Sequence, residues 1–375
     1  MDFERQPSRR PWPLLTLCLA LGFFAGCSQP KSHNPGGFGS YLLRRLASET
    51  APPASFRGVS CAANGVAWAS GSSSSIYRSG DWGQTWQKLP APGKADLDFR
   101  DVHAFDFDRA IVMAAGPGEA SALYATQDGG DSWQQLLANP DEKGFFDSIA
   151  MNADGSGFLI GDPIEGHFTL YASDQNQMWH RVAPPSTPVS FAEEYCFAAS
   201  GTAIALTPKG TLWLATGGAK SRLLQTAKPA HRPDQLSWLG QPSSIGNGEP
   251  SQGVFSVAFR DELHGVAVGG DYSNPLEAKS VCMRTSDGGN TWQSILNQGP
   301  SGFRSGVCHV PGTQPPVWVA VGSHGADWSQ DDGLTWLPLP NFDGYHAIAF
   351  GPDGRGVAVG SPNKAFLTID FLPLN

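Results

Sequence analysis

The stretch Tyr77–Trp86, YRSGDWGQTW, contains the pattern SGDWGQTW (79–86), which returns along the chain. The other full copies are TQDGGDSW (126–133), TSDGGNTW (285–292) and SQDDGLTW (329–336), and a degenerate copy is ASDQNQMW (172–179). Asp side chains accept backbone N–H groups within tight turns, and Gly at the fifth position allows a positive φ. The pattern therefore predicts a repeated turn, and its aspartates have a structural role: Asp81, Asp128, Asp287 and Asp331.

The spacing of the repeat predicts the architecture. Tryptophans that end the units lie at 86, 133, 179, 238, 292 and 336, which are 44 to 59 residues apart, and each unit contains four strand-like runs. Such a period of all-strand units is typical of a β-propeller, in which each unit is one blade of four antiparallel strands. A further three-stranded unit follows at 344–370, and the segment SYLLRRLASE (40–49) matches a missing outer strand. We predict an all-β, seven-bladed propeller whose ring is closed by an N-terminal strand.

Composition supports this architecture and excludes one class of partner. The 375 residues include 45 Gly, 30 Pro and 12 Trp, and only 16% are charged. This balance favours short strands joined by many turns over long helices. The formal net charge of -9 argues against a nucleic-acid-binding protein, because a phosphate backbone requires a basic surface.

The N-terminal residues predict export and lipid attachment. Arginines at 5, 9 and 10 precede the apolar run PLLTLCLALGFFAG, which is short for a membrane span and typical of a signal peptide. The run ends in FAGC (24–27), which resembles a bacterial lipobox and implies lipidation of Cys27. We expect a signal peptide at 1–26, a flexible tether at 27–39 and one propeller domain at 40–375, held at a membrane outside the cytoplasm, in the periplasm or at the cell surface.

Four cysteines lie within the predicted propeller: Cys61, Cys196, Cys282 and Cys308. Most occupy apolar strand-like runs, which favours buried thiols, although an exported protein can also form disulfides. Their spacing indicates no metal site, and no metal is predicted.

The starts of the seven predicted inner strands suggest a binding site. Aligning FRGV, FRDV, FDSI, EEYCF, VFSV, FRSGV and YHAI places Arg57, Arg100, Asp147, Glu194, Phe255, Arg304 and His346 at one equivalent position. Six of these seven side chains are ionisable, and inner strands of a propeller meet at the mouth of its central channel. We predict a ligand site there, in which the arginines hold a carboxylate or phosphate. The alternative is that these charges pair with one another as a plug of the channel.

The repeated turn resembles the Asp-box (BNR) repeat of sialidases, sortilin-type receptors and photosystem assembly propellers. The ordered phrases SFRGVS, DFRDVHAFD, IGDPIEG, CFAASGT, VAVGGDY and VGSHGADWSQDDGLTW are similar to bacterial propellers related to the photosystem II assembly factor Ycf48. Within these, they look most like a group of exported bacterial lipoproteins to which an oxidoreductase activity is often attributed. The resemblance to Ycf48 implies binding of a protein partner, such as a subunit of an assembling membrane protein, without chemistry.

Two enzyme hypotheses remain as alternatives, although the sequence favours a binding protein with no catalytic residue and no cofactor. A sialidase-like glycoside hydrolase would use three arginines, Tyr195, Glu193 or Glu194, and Asp101 or Asp147. The characteristic FRIP-type opening of sialidases is absent, because FRGV lacks the proline. A cofactor-dependent oxidoreductase lacks a dinucleotide fingerprint, because no glycine-rich run precedes a helix. The loops IGDPIEG (160–166) and VGGDY (268–272) add Asp162 and Asp271 as further binding candidates.

Overall fold

The structure is a computed structural model, and it describes residues 41–47, 52–362, 364 and 366–373. All of them belong to one compact unit, Gly39–Asn375. The predicted signal peptide, the tether and Cys27 lie outside the described residues, so their roles stay predictions. The helical segments within the described part of the chain are single turns, Gly118–Ala120 and Pro233–Gln235, and no membrane-spanning helix is found among them.

Seven antiparallel sheets form the seven blades, as the sequence predicted. The first strand of the chain is β1 (Tyr41–Ala47). Blade 1 contains β2 (Phe56–Cys61), β3 (Ala67–Gly71), β4 (Ser75–Ser79) and β5 (Gln87–Lys88). Blade 2 contains β6 (Phe99–Ala104), β7 (Ala110–Ala114), β8 (Ala122–Thr126) and β9 (Gln134–Ala138). Blade 3 contains β10 (Phe146–Met151), β11 (Gly157–Ile164), β12 (His167–Ser173) and β13 (Trp179–Arg181).

The second half of the chain follows the same order with two additions. After β14 (Glu194–Tyr195), blade 4 contains β15 (Ile204–Leu206), β16 (Leu212–Ala215), β18 (Arg222–Thr226) and β19 (Trp238–Pro242), with β17 (Gly217–Gly218) between them in sequence. Blade 5 contains β20 (Glu249–Phe259), β21 (Gly265–Asp271), β22 (Cys282–Thr285) and β23 (Gln293–Ser294). Blade 6 contains β24 (Gly306–Val310), β25 (Val317–Gly322), β26 (Gly325–Ser329) and β27 (Leu337–Leu339). Blade 7 contains β28 (Tyr345–Phe350), β29 (Arg355–Gly360) and β30 (Phe366–Pro373).

The ring is closed by the N-terminal strand, as predicted. The outermost strand of blade 7 is β1, which pairs antiparallel with β30 from Tyr41 opposite Pro373 to Ala47 opposite Leu367. The two ends of the chain therefore complete one sheet, and β1 covers what would otherwise be the exposed outer edge of β30.

The hydrophobic core lies between the blades. Seven buried clusters in the described residues each combine side chains of two adjacent blades, one cluster for each contact around the ring. Tryptophans that end the repeated turns pack on the preceding blade: Trp86 stacks on Phe366 with ring centroids 4.1 Å apart, and Trp133 meets Trp68 edge-on at 6.3 Å. Each of these tryptophans therefore marks one contact between two adjacent blades.

The two faces of the ring carry different parts of each blade. In blade 1, Phe56 at the start of β2 lies opposite Gly71, whereas Ser79 at the end of β4 lies opposite Ala67. The inner strands therefore begin on one face, which we call the mouth face. The repeated turns, which we call the box turns (79–86, 126–133, 285–292 and 329–336), lie on the opposite face.

Candidate functional site

Each of five inner strands carries a β-bulge near its start, and the extra residue is one that the sequence alignment selected. The pairing with the second strand of the blade skips Arg57, Arg100, Asp147, Phe255 and His346. A bulge releases one residue from the ladder and redirects its side chain. All five side chains line one cavity of about 440 Å³ at the mouth of the channel.

Blade 6 does not follow the predicted register. Gly306 pairs with Val321, so the residue equivalent to Arg57 is Ser305, which lines the cavity in place of Arg304. Arg304 is one position earlier and its side chain lies inside the protein, 1% exposed. Its Nε donates to Asp327 Oδ2 at 2.7 Å, and its Nη1 donates to the carbonyl of Phe303 at 2.7 Å. Placing Arg304 at the mouth was wrong in geometry, because one residue of register turns a side chain to the other face of the sheet.

Blade 4 differs more, because its inner strand is β15 and not the segment around Glu194. Glu194 lies in the short strand β14, which pairs with β17 and extends the sheet of blade 5. Its carboxylate is buried and binds the Arg222 guanidinium through two hydrogen bonds of 2.8 and 2.7 Å, while Thr216 Oγ1 donates to it at 2.6 Å. Glu194 therefore does not line the mouth cavity, and its visible role is to hold β14 in place.

The segment Cys196–Thr202 crosses the channel and forms the floor of the cavity. The Ala198 carbonyl accepts a hydrogen bond from Arg100 Nη1 of blade 2 at 3.2 Å, and Ser200 Oγ donates to the Ser305 carbonyl of blade 6 at 2.6 Å. One segment thus contacts inner strands on opposite sides of the ring. Part of the cavity wall therefore comes from a segment that the sequence alignment assigned to an inner strand.

Two arginines at the mouth differ in how their charge is satisfied. Arg100 Nε donates to Asp98 Oδ2 at 2.8 Å, so Arg100 has a carboxylate partner. The Arg57 guanidinium, in contrast, makes no hydrogen bond or ion pair with any described residue. Burial, and then the charge of Arg100, lowers the pKa of Arg57 from its ordinary value. The charge of Asp98 acts in the opposite direction, but Asp98 is ion-paired with Arg100. A partly buried guanidinium with no hydrogen-bonded carboxylate among the described residues is a reason to expect an anionic ligand at this position.

A pair of carboxyl groups lies in the same cavity. Asp147 is 1% exposed, and burial together with the neighbouring Asp162 raises its pKa well above the ordinary value, against the lowering effect of Arg100. Burial also raises the pKa of Asp162 to about 6. Burial and the charge of Arg57 lower the pKa of His346 to about 4, so its imidazole is neutral at pH 7. Cationic, acidic and neutral polar groups thus share one side of the mouth.

The other side of the mouth is aromatic. Phe197 of the crossing segment stacks on Phe255 with ring centroids 3.8 Å apart and planes 8° from parallel. Phe303 and Tyr272 meet Phe255 edge-on at 4.8 and 6.1 Å, and Tyr272 is half exposed at the rim. A flat aromatic wall beside fixed charges suits a ligand that combines an apolar group with a charged one.

Sequence reasoning missed several of these residues. Phe197, Phe303 and Tyr272 were not selected, although CFAASGT and VAVGGDY had been noted as distinctive phrases. Asp162 was a candidate from its loop and does line the cavity, whereas the Asp271 carboxylate accepts hydrogen bonds from Ser273 N and Gln252 Nε2 and is not part of the cavity wall. Ser305 could have been found from the sequence. If FRSGV is aligned to FRGV so that the two glycines match, Ser305 takes the position of Arg57.

The groups required by the sialidase-like hypothesis are not brought together. Arg304 is buried against Asp327, so the mouth contains two arginines and not three. Asp101 lies below the cavity, where its carboxylate accepts the backbone N–H groups of Val102 and Ile149 at 2.8 Å each. The geometry therefore supports binding of an anionic group and does not assemble the arginine triad of that reaction.

The four cysteines of the described propeller are free thiols. Burial raises the pKa of Cys61 to about 12 and of Cys308 to about 11. Cys196 lies at the edge of the cavity floor, and burial raises its pKa well above the ordinary value. Cys196 and Cys282 are buried, whereas Cys61 and Cys308 are partly buried. The raised pKa values of Cys61, Cys196 and Cys308 keep these thiols protonated near neutral pH.

Comparison with known proteins identifies solved structures with the same fold. No family model matches the chain, and no curated protein matches it. A solved structure described as "YCF48 bound to D1 peptide" has a TM-score of 0.59 at 17% identity, and the match covers 88% of this chain and 96% of that one. A structure of YCF48 from Cyanidioschyzon merolae has a TM-score of 0.59 at 14% identity, covering 88% of this chain and 98% of that one. The chain therefore shares the propeller fold of YCF48.

Proposed function

We propose that this chain is a lipid-anchored, extracytoplasmic propeller that binds a segment of a partner protein at its channel mouth, in the manner of a Ycf48-like assembly factor. The observation that carries the proposal is Arg57, a guanidinium without a partner among the described residues in a cavity of about 440 Å³. An Asp or Glu side chain of the partner would supply the missing carboxylate through paired hydrogen bonds.

The aromatic wall supports a polypeptide over a small inorganic anion. Phe197, Phe255 and Phe303 form a small apolar cluster at the mouth, separate from the clusters between blades. An apolar side chain of the partner, next to its acidic one, would be buried against these rings. Contacts in such aromatic pockets often contribute most of the binding free energy. The solved YCF48 structure contains a D1 peptide, which agrees with peptide binding on this fold. The proposed partner is a subunit of a membrane protein during assembly.

The test is site-specific photocrosslinking in membranes. A benzoylphenylalanine at Tyr272 would report what occupies the mouth, because this side chain is 51% exposed at its rim. We expect one partner to be crosslinked by the parent chain and lost in Arg57→Gln. The matched control is Arg109→Gln, which removes an exposed arginine bonded to Asp106 away from the mouth. Identical crosslinked products from both variants, or none from the parent chain, would refute a binding site at the mouth.

Anchoring is tested separately. Replacing Cys27 by Ser removes the only atom that the lipobox-like sequence offers for lipidation. We expect Cys27→Ser to lose incorporation of a labelled fatty acid and to move from the membrane fraction to the soluble extracytoplasmic fraction. Unchanged labelling or fractionation would contradict the proposed anchor while leaving the mouth site open.

A further inference from the structure

The acidic side of the mouth contains an unsatisfied atom that Arg57 does not explain. Asp147 is 1% exposed and lines the cavity, and its Oδ2 has no hydrogen-bond partner in the part of the chain that the structure describes. Its carboxyl group does accept a hydrogen bond from the Ala198 backbone, so it is anchored on one side only. Buried polar atoms are nearly always paired in folded proteins, and one that faces a cavity indicates a missing group.

Asp162 also indicates that a cationic group is missing from this side of the mouth. It lines the same cavity, and its Oδ1 accepts a weak hydrogen bond from Cys196 N at 3.3 Å. The two carboxyl groups repel each other when both are ionised, so they titrate as a pair that retains a proton near neutral pH. The pair then carries about one negative charge, next to two arginines of which only Arg100 has a carboxylate partner.

We infer that Asp147 and Asp162 form a second subsite of the mouth, which binds an ammonium or guanidinium group of the partner beside the carboxylate held by Arg57. The recognised segment therefore carries an acidic and a basic residue close together, with an apolar residue for the aromatic wall. This inference rests on the proposed function. The second subsite requires a basic residue in the partner segment, which binding of an anion by Arg57 does not. A purely acidic segment would leave Asp147 Oδ2 without a hydrogen-bond donor.

The groups around the pair allow its titration to be observed. Arginine side chains are charged throughout this pH range. The pKa of His346 is lowered to about 4 by burial and Arg57, so this ring is neutral above pH 5. The Cys196 thiol stays protonated because burial raises its pKa. The remaining charged groups nearby are engaged: Asp98 with Arg100, and Glu194 with Arg222. Asp101, which lies below the mouth, has a pKa raised to about 8 by burial and begins to ionise only at the upper end of the range tested. Between pH 5.5 and 7 the main change of charge is therefore that of the carboxyl pair.

The experiment measures binding of the full-length chain in detergent to an array of acetylated, amidated pentapeptides. Each peptide contains one Phe, one Glu, one Lys and two Ala, and the array covers every order of these residues. In one matched array Lys is replaced by Gln, and in a second matched array Glu is replaced by Gln. We expect the best binder to lose about tenfold in affinity when its Lys becomes Gln, the loss of one charge-assisted hydrogen bond. Asp162→Asn should remove this difference, while Arg57→Gln should weaken every peptide that contains Glu.

The pH dependence provides a test that needs no variant. The affinity for the Glu–Lys peptide should fall from pH 7.5 to 5.5, because the carboxyl pair gains a proton and loses its negative charge. The affinity for the matched Glu–Gln peptide should rise over the same range, because repulsion of its carboxylate disappears. The peptide Glu itself stays ionised, since its pKa is about 4.3.

The two hypotheses fail in different ways. If no Glu-containing peptide binds, the proposed function fails and the second subsite with it. If Glu-containing peptides bind through Arg57, but Lys→Gln has no effect and both peptides respond alike to pH, the second subsite is refuted and the proposed function stands.

Discussion

The aspartate side chains of the box turns are fully hydrogen-bonded, whereas the polar side chains at the channel mouth are only partly hydrogen-bonded. In the first box turn, Asp81 Oδ1 accepts from Ser79 Oγ and Thr85 N, and Oδ2 accepts from Thr85 Oγ1, at 2.8, 2.9 and 2.7 Å. The other three box aspartates accept the same set of bonds within their own turns. At the mouth, Arg57 makes no hydrogen bond or ion pair with a described residue, and Asp147 Oδ2 has no hydrogen-bond partner among them.

This difference separates residues that stabilise the fold from residues available to a ligand. Every polar atom of a box aspartate is satisfied locally, so the turn can be repeated in any blade without reference to the rest of the molecule. The mouth side chains are brought together from different blades, and their hydrogen-bonding capacity is left open. Four predictions, in decreasing order of expected effect, test this separation.

The largest effect is expected for Arg304, which looked like a mouth residue and lies in the interior. Arg304 and Asp327 are each 1% exposed, and removing one member of such a pair leaves an uncompensated buried charge. We expect Arg304→Ala to lower the free energy of unfolding by about 3–5 kcal/mol, measured by chemical denaturation. The double variant Arg304→Met with Asp327→Leu should recover most of this loss. A loss below about 1 kcal/mol in Arg304→Ala would contradict the structural assignment.

The second prediction concerns pH, because the two regions shift carboxyl pKa values in opposite directions. Hydrogen bonds from Ser132 lower the pKa of Asp128 to about 2, whereas burial raises the pKa of Asp101, below the mouth, to about 8. Asp128 therefore contributes stability that is lost as the pH falls below about 4. Asp101 binds its proton more tightly in the folded state, so its contribution is present at low pH and lost as the pH rises through about 8.

Asp101→Asn tests this sign. The amide does not ionise, and its single oxygen can accept only one of the two N–H groups, because Val102 N and Ile149 N bond to different oxygens of Asp101. The loss of the other hydrogen bond lowers the stability of the variant by an amount that does not depend on pH. Relative to the parent chain, we expect the variant to gain stability from pH 5 to pH 9, by at most about 1.4 kcal/mol per pH unit. The lowered pKa of His103, caused by burial, affects both proteins equally and cancels in the comparison. A difference that is constant with pH would show that Asp101 is ionised throughout.

The third effect is loss of a single box turn. Asp331→Ala removes the acceptor for Thr335 N, Thr335 Oγ1 and Ser329 Oγ. Thr335 is partly exposed to solvent, and the buried Ser329 hydroxyl still accepts a hydrogen bond from Gly333 N. We expect a loss of about 1 kcal/mol in thermal or chemical unfolding, with peptide binding unchanged. Asp331→Asn, which retains one acceptor oxygen, should lose less. Impaired binding in a folded Asp331→Ala protein would mean that the box face contributes to function.

The smallest effect on stability is expected at Arg57. Because this guanidinium has no partner among the described residues and lies near Arg100, Arg57→Gln should change the free energy of unfolding by less than about 0.5 kcal/mol. The variant therefore isolates binding from folding, and calorimetry together with the crosslinking assay checks both. A clearly destabilised Arg57→Gln protein would show that Arg57 stabilises the ring, as the plug hypothesis requires.

Much of the mouth was within reach of sequence reasoning, because five of the seven aligned positions are the bulged residues of their inner strands. The two errors have different physical origins. Side chains alternate between faces of a strand, so one extra residue in FRSGV moved Arg304 off the site and Ser305 onto it. At Glu194, a two-residue strand that joins the sheet of blade 5 replaced the expected inner strand. Local patterns cannot reveal which sheet so short a strand will join.

The sequence by itself determined the number of blades, the box turns and the closure of the ring, because these depend on local turns and on a periodic pattern of buried side chains. Only the tertiary structure decided which charges are paired. Arg57, Asp147 and Asp162 come from different strands and loops, and whether a guanidinium meets a carboxylate depends on distances set by the closed ring and by the segment that crosses it. A ligand site is defined by these unpaired groups, so the chemistry of the mouth became visible only after the ring was assembled.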